Sequence, residues 1–128
     1  MSVEIKWIKG DCTETSAGDA DELAQLDFGT IQIKPQEEEG GESKVSLKVG
    51  NIGTSTAENV ELEFTGEGDH LQWKGLSKNE EGPFESTLSL NDIGEDEISD
   101  VVWAQSEVPY DAETGSHSCY LTCEYTYV

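Results

Sequence analysis

The sequence predicts an all-β protein, a sandwich of about seven or eight strands, and two observations support this. Apolar and polar residues alternate in short runs along most of the 128 residues, which is the pattern of half-buried strands. Turns rich in Gly, Asn, Asp and Pro separate these runs, and the spacing favours an immunoglobulin-like topology. The one helical signal is a single turn in DADELAQL. A closed barrel is the alternative architecture.

The clearest pair of strands is VSLKVGNIGTSTAENVELEF, residues 45–64. Two alternating runs are joined there by a Gly/Asn/Ser/Thr turn, so we expect two neighbouring strands with one buried face. The residues expected on that face are Val45, Leu47, Val49, Val60, Leu62 and Phe64.

Six further strands are predicted, at residues 3–8, 26–33, 70–73, about 84–90, 101–108 and 117–128. In the second of these the apolar positions change face at Gly29, which indicates a bulge. The run at 101–108 is apolar on both faces, as in the middle of a sheet. We divide one expected domain into residues 1–25, a strand plus an acidic loop or arm, and residues 26–128, the core module.

The charge restricts the partners. Twenty-eight acidic residues against seven lysines give a formal charge of −21, which argues against nucleic acid and against an anionic membrane surface. The sequence has neither a membrane-spanning apolar stretch nor an apolar signal peptide at its start. We therefore expect no membrane insertion and a protein partner, with homo-oligomers left open.

No motif indicates catalysis. The sequence lacks a nucleophile elbow, a phosphate-binding glycine loop and a dinucleotide fingerprint, so we do not expect an enzyme. On a straight strand Cys119 and Cys123 lie about 13 Å apart, too far for a disulfide or for sharing a zinc ion with His117. The favoured interpretation is buried free thiols, while a bond from Cys12 to one of the two stays open.

Calcium is the one cofactor that the residues leave open. Acidic loops supply the hard oxygen ligands that calcium prefers, although neither acidic cluster has the spacing of a dedicated calcium loop. The candidate ligands are Asp11, Asp19, Asp21 and Glu22 in the first cluster and Asp92, Glu95, Asp96 and Glu97 in the second.

Two motifs resemble a known family. An N-x-G-T-x-x-A-x-x-V turn lies at 51–60, and a V-P-x-x-A-x-x-G segment at 108–115 precedes the last strand. With LDFGTIQI, LSLNDIGEDE and VVWAQSEVPYDAETG, they make residues 26–128 similar to immunoglobulin-like modules of the CARDB type, which occur in prokaryotic surface proteins and in phage and virus particles. The resemblance implies a non-catalytic role as a spacer, an adhesive surface or a particle decoration.

These observations lead to one functional expectation and one alternative. We expect an accessory component of a phage or virus particle, either a capsid decoration or a tail protein. The alternative is an adhesion-type module of a bacterial or archaeal cell-surface protein, if the chain is a fragment of a longer one. The interface candidates are Tyr120, which points off the inner face of the last strand, and Tyr110 in the loop before it.

Overall fold

The computed structural model describes residues 2–113, 115 and 117–127. Within that part of the chain seven strands are joined by loops and two short 3-10 helices, Pro35–Glu37 and Asp69–Trp73. The strands are β1 (Ile5–Lys9), β2 (Gly41–Asn51), β3 (Glu58–Thr65), β4 (Lys74–Ser77), β5 (Thr87–Ser89), β6 (Val102–Val108) and β7 (Tyr120–Thr126).

The strands form two antiparallel sheets. One has the order β1-β2-β6-β4 and the other the order β5-β3-β7. The predicted all-β, immunoglobulin-like sandwich is confirmed. So is the interior position of β6, which pairs with β2 on one side and β4 on the other.

The core lies between the two sheets, and the predicted alternation identifies most of it. Leu47 and Val49 of β2 and Val60 and Leu62 of β3 are fully buried, while Val45 and Phe64 are partly buried against the same cluster. Its other buried members are Val3, Ala57, Leu76, Ile93, Val102 and Ala104. The predicted inner face of residues 45–64 is therefore confirmed.

The expectation that these two strands are neighbours in one sheet is wrong, because β2 and β3 lie in opposite sheets. The turn between them crosses the end of the sandwich and is organised by the buried Asn51. The Asn51 amide donates hydrogen bonds to the carbonyls of Ser55 (2.7 Å) and Ile93 (2.9 Å), and its oxygen accepts one from the Gly53 N–H (2.9 Å). Alternation identifies a buried face, and the strands of both sheets have one.

The strand predicted at residues 26–33 is also wrong, and no strand forms there. The Asp27 carboxylate accepts a hydrogen bond from the Gly29 N–H (2.7 Å), and Gly29 has φ +74°, so the backbone turns at that point. Gly29 is thus a left-handed loop residue. The segment then passes over the face of β2, since a Cβ on Gly41 would lie 2.5 Å from the carbonyl oxygen of Gln32.

Smaller differences concern other boundaries. Residues 70–73 belong to a 3-10 helix, and the strand expected there begins at Lys74. The run at 84–90 forms a strand only at Thr87–Ser89, and the last strand begins at Tyr120 instead of His117. DADELAQL contains no helical turn.

The acidic loop after β1 is packed more closely than expected. Ala17 and Ala20 are buried around Ile8 in a second, small cluster, with Cys12 and Ile98 packed against it. Further along the same loop, Leu23 is half-buried and Ala24 is exposed.

Candidate functional site

A cleft of about 430 Å³ opens between the sheets beside the start of β7. Its walls are mainly apolar side chains from both sheets and from the 26–28 loop: Trp7, Leu26, Phe28, Leu47, Phe64 and Leu121. A concave apolar site of this size is typical of ligand pockets and of sites that receive a partner's side chain.

The 26–28 loop completes one wall of this cleft. The Phe28 ring packs against that of Phe64, with 6.4 Å between the ring centroids, and the Ser43 hydroxyl donates a 2.7 Å hydrogen bond to the Phe28 carbonyl. The phenylalanine is thus held by an aromatic contact and one side-chain hydrogen bond.

Lys74 is the one charged residue among those described as lining the cleft. Its Nζ donates a 3.0 Å hydrogen bond to the Ser106 hydroxyl and lies 5.4 Å from the ring centroid of Phe28 and 5.7 Å from that of Trp73. Burial lowers the pKa of Lys74 from its ordinary value. The cleft therefore combines apolar walls with one ammonium group, which contacts aromatic faces.

The three cysteines are unpaired thiols in three different places. Cys119 lines the cleft, Cys123 packs against the main core, and Cys12 packs against the small cluster around Ile8. Burial raises the pKa of Cys119, against a smaller opposing effect of the Lys74 charge, and raises that of Cys123 to about 11. Both thiols are therefore protonated at neutral pH, when a thiol is a poor nucleophile.

The two tyrosines proposed as interface residues are both exposed, as predicted. Tyr120 is 75% exposed and lies on the rim of the cleft. Tyr110 is 39% exposed and lines a separate, more open groove with Trp73 and Phe84. Exposure makes both available for contact, and their role in an interface stays a prediction.

The loops that carry the two acidic clusters contact each other through hydrogen bonds from Ser16 and Gly18 to Asp96. The Asp96 carboxylate accepts hydrogen bonds from the Ser16 hydroxyl (2.5 Å) and the Gly18 N–H (2.8 Å), and these bonds lower its pKa. Glu97 accepts one from the Gly94 N–H (2.8 Å). The remaining candidates are exposed: Asp11, Asp19, Asp21, Glu22, Asp92 and Glu95.

Among the described residues no three His, Cys, Asp or Glu side chains are grouped so as to hold a metal ion. His117, Cys119 and Cys123, which the sequence places on one strand face, separate because His117 precedes β7 and is exposed. Calcium binding by the acidic loops stays a prediction.

One cluster of side chains, two histidines and a tryptophan, is not predicted by any pattern in the sequence. The two histidines of the chain, His70 and His117, lie side by side with 5.4 Å between their ring centroids. Trp73 packs edge-on against both, at 6.2 Å from His70 and 5.1 Å from His117. A 3-10 helix and the segment before β7 bring these rings together, so no local period could reveal them.

Comparison with known proteins adds no assignment, since no protein-family model matches the chain and a search of curated proteins finds no relative. The described part of the chain contains no helix of the length and hydropathy that a bilayer crossing requires.

Proposed function

We propose that this protein is a non-catalytic binding module that attaches to a larger protein assembly, as a capsid decoration or tail component of a phage or virus particle. The observation that carries the proposal is the exposed Tyr120 on the rim of an apolar cleft. An exposed aromatic side chain beside a pocket is the usual composition of a binding hot spot. The partner would cover Tyr120 and insert an apolar side chain between the sheets.

The charge supports an interface of this kind. At −21 the surface keeps the protein soluble and disfavours non-specific association. Exposed ion pairs contribute little to affinity, so the apolar contact at Tyr120 would provide most of the binding free energy. The acidic surface would then affect the rate of association and its dependence on salt.

The alternative is an adhesion-type module of a cell-surface protein, and the turn at residues 51–60 favours it equally. This turn is one of the two motifs on which the resemblance to CARDB-type modules rests. Here it forms the crossover between the sheets and is fixed by the buried Asn51. A motif with this structural role fits any module of the type, whether it decorates a particle or belongs to a longer surface protein.

The test is co-sedimentation of the purified protein with particles from a virus or phage genome in which its gene is deleted. We expect stoichiometric binding that persists in moderate salt. Tyr120→Ala should weaken it roughly 30-fold, because truncating a hot-spot aromatic costs about 2 kcal/mol or more. Tyr110→Ala tests the second candidate in the same way.

Tyr127→Ala is the matched control, because Tyr127 is also exposed but does not line the cleft. The control should bind as the wild type does. Absence of binding at every ionic strength would end the decoration proposal. Binding abolished by moderate salt would mean that charge makes the contact instead of Tyr120.

A further inference from the structure

The distance between the two histidine rings is that of imidazoles sharing one metal ion. A ligating imidazole nitrogen lies about 2.0–2.1 Å from a zinc-like ion, which places the ring centres of two ligands in tetrahedral arrangement about 5 Å apart. The rings of His70 and His117 are 5.4 Å apart, centroid to centroid. Simple stacking against Trp73 would account for this distance as well, so the hydrogen bonds of each ring have to be considered.

In both histidines the same ring nitrogen, Nε2, is hydrogen-bonded to a backbone carbonyl. Nε2 of His70 lies 2.9 Å from the Ser118 carbonyl oxygen, and Nε2 of His117 lies 2.9 Å from that of Glu113. Because a carbonyl can only accept, each Nε2 carries the proton, and in the neutral ring Nδ1 keeps its lone pair. A histidine that donates one N–H to a backbone carbonyl and offers the other nitrogen is the usual arrangement of a metal ligand.

The surroundings of the two rings leave room for a metal ion and let it approach from solvent. Gly68 lies beside His70, and a Cβ at that position would come within 2.9 Å of His70 Nδ1. The glycine therefore leaves free the volume that an ion next to Nδ1 would occupy. His117 is exposed and His70 is half-buried, so an ion can reach the pair from solvent. The protein's charge of −21 raises the local concentration of cations.

We propose that His70 and His117 form a site for one divalent transition-metal ion such as Cu²⁺, Ni²⁺ or Zn²⁺, with Nδ1 of each ring as ligand and water in the other positions. Imidazole suits these ions, whereas the carboxylates elsewhere on the surface suit Ca²⁺ and Mg²⁺. The site is separate from the calcium candidates and independent of the function proposed above.

The direct test uses untagged protein and proton NMR with Zn²⁺, in excess Ca²⁺ to occupy the carboxylates. Because the chain has two histidines, its spectrum has two imidazole Cε1–H signals, and both should shift together and saturate at one equivalent of Zn²⁺. If neither signal moves, or only one does, the proposal is overturned.

A second test measures the affinity and its order among metals. Cu²⁺ and Ni²⁺ quench tryptophan fluorescence at short range, and Trp73 is next to both rings. We expect saturable quenching, with Cu²⁺ bound more tightly than Ni²⁺. His70→Gln and His117→Gln should each weaken binding at least tenfold, while circular dichroism confirms that each variant is folded.

Glu107→Gln is the control, since it removes an exposed carboxylate and leaves both histidines in place. It should bind Cu²⁺ as the wild type does. If the histidine variants bound Cu²⁺ as tightly as Glu107→Gln and the wild type do, the ions would be binding to the acidic surface at large, and the proposal would fail.

Discussion

Two loop segments of this protein, residues 10–22 and 26–33, are held in different ways. In the first, Lys6 Nζ donates hydrogen bonds to the carbonyls of Ala17 (3.0 Å) and Ala20 (2.5 Å), and Lys48 Nζ donates one to that of Cys12 (2.8 Å). The second segment is held by the Ser43 bond to the Phe28 carbonyl and by partly buried apolar side chains.

The difference between the two segments shows that the alternation of apolar and polar residues does not by itself predict how a segment is held to the sheets. The polar, acidic segment is anchored because lysines from β1 and β2 bond to its carbonyls and because two alanines are small enough to pack on Ile8. The apolar, alternating segment forms no strand because it packs on faces instead of pairing along an edge. Its apolar residues cover Phe64 and pass over Gly41.

The largest loss of stability should come from truncating a residue of the small cluster around Ile8, which lies under the first segment. Ile8 is fully buried, so Ile8→Ala should lower the free energy of unfolding by about 2–5 kcal/mol, through lost transfer energy and a cavity. Ile31→Ala in the second segment should cost about 1 kcal/mol or less, since Ile31 is only half-buried. Urea denaturation of both variants measures this, and equal losses would mean that the two segments are equally well packed.

A smaller effect is expected from the lysine that anchors the first segment. Lys6→Met keeps most of the side-chain volume but removes the ammonium that bonds the loop carbonyls. We expect a loss of about 1–3 kcal/mol, with faster amide hydrogen exchange at residues 17–20.

Lys34→Met is the control for Lys6. Its ion pairs with Glu37 and Glu39 are long, at 3.9 and 3.8 Å, and the lysine side chain is 65% exposed. The change should cost less than about 0.5 kcal/mol. If Lys34→Met proved as destabilising as Lys6→Met, the bonds to the loop carbonyls would not be what anchors the first segment.

The smallest effect concerns pH and Asp96, which ties the first segment to the turn before β6. Hydrogen bonds from Ser16 and Gly18 lower the pKa of Asp96 in the folded protein. A lowered folded-state pKa stabilises the fold above the ordinary Asp value of about 4 and ceases to do so as pH falls through the folded value. Asp96→Asn should therefore remove a small part of the acid sensitivity below about pH 4.

Unfolding curves recorded from pH 6 to pH 2 measure that difference. Asp19→Asn is the control, because it removes one exposed negative charge from the same segment and leaves both hydrogen bonds of Asp96 in place. If the unfolding free energy of Asp96→Asn changed with pH as that of the wild type does, the two hydrogen bonds would persist when the Asp96 carboxyl is protonated.

The alternation of residues 45–64 was sufficient to place Leu47 and Leu62 in the core and Glu63 on the surface. It could not assign these strands to sheets, because that depends on Asn51 and its distant partner Ile93. The exposure of Tyr120 followed from its outward position on the last strand. The cleft beside it depends on the spacing of the sheets and on the loop that carries Phe28, neither of which is a local property of the sequence.

The order of pairing has a consequence for how the chain folds. Leu47 of β2 pairs with Val102 of β6, and Leu62 of β3 pairs with Cys123 of β7, so both sheets depend on residues synthesised late. Such non-local pairing slows folding to milliseconds or seconds. During synthesis β2 and β3 leave the ribosome before these partners exist. Glu58, Glu61 and Glu63 place three acidic residues within β3, and charges within an apolar strand oppose its association with other unpaired strands.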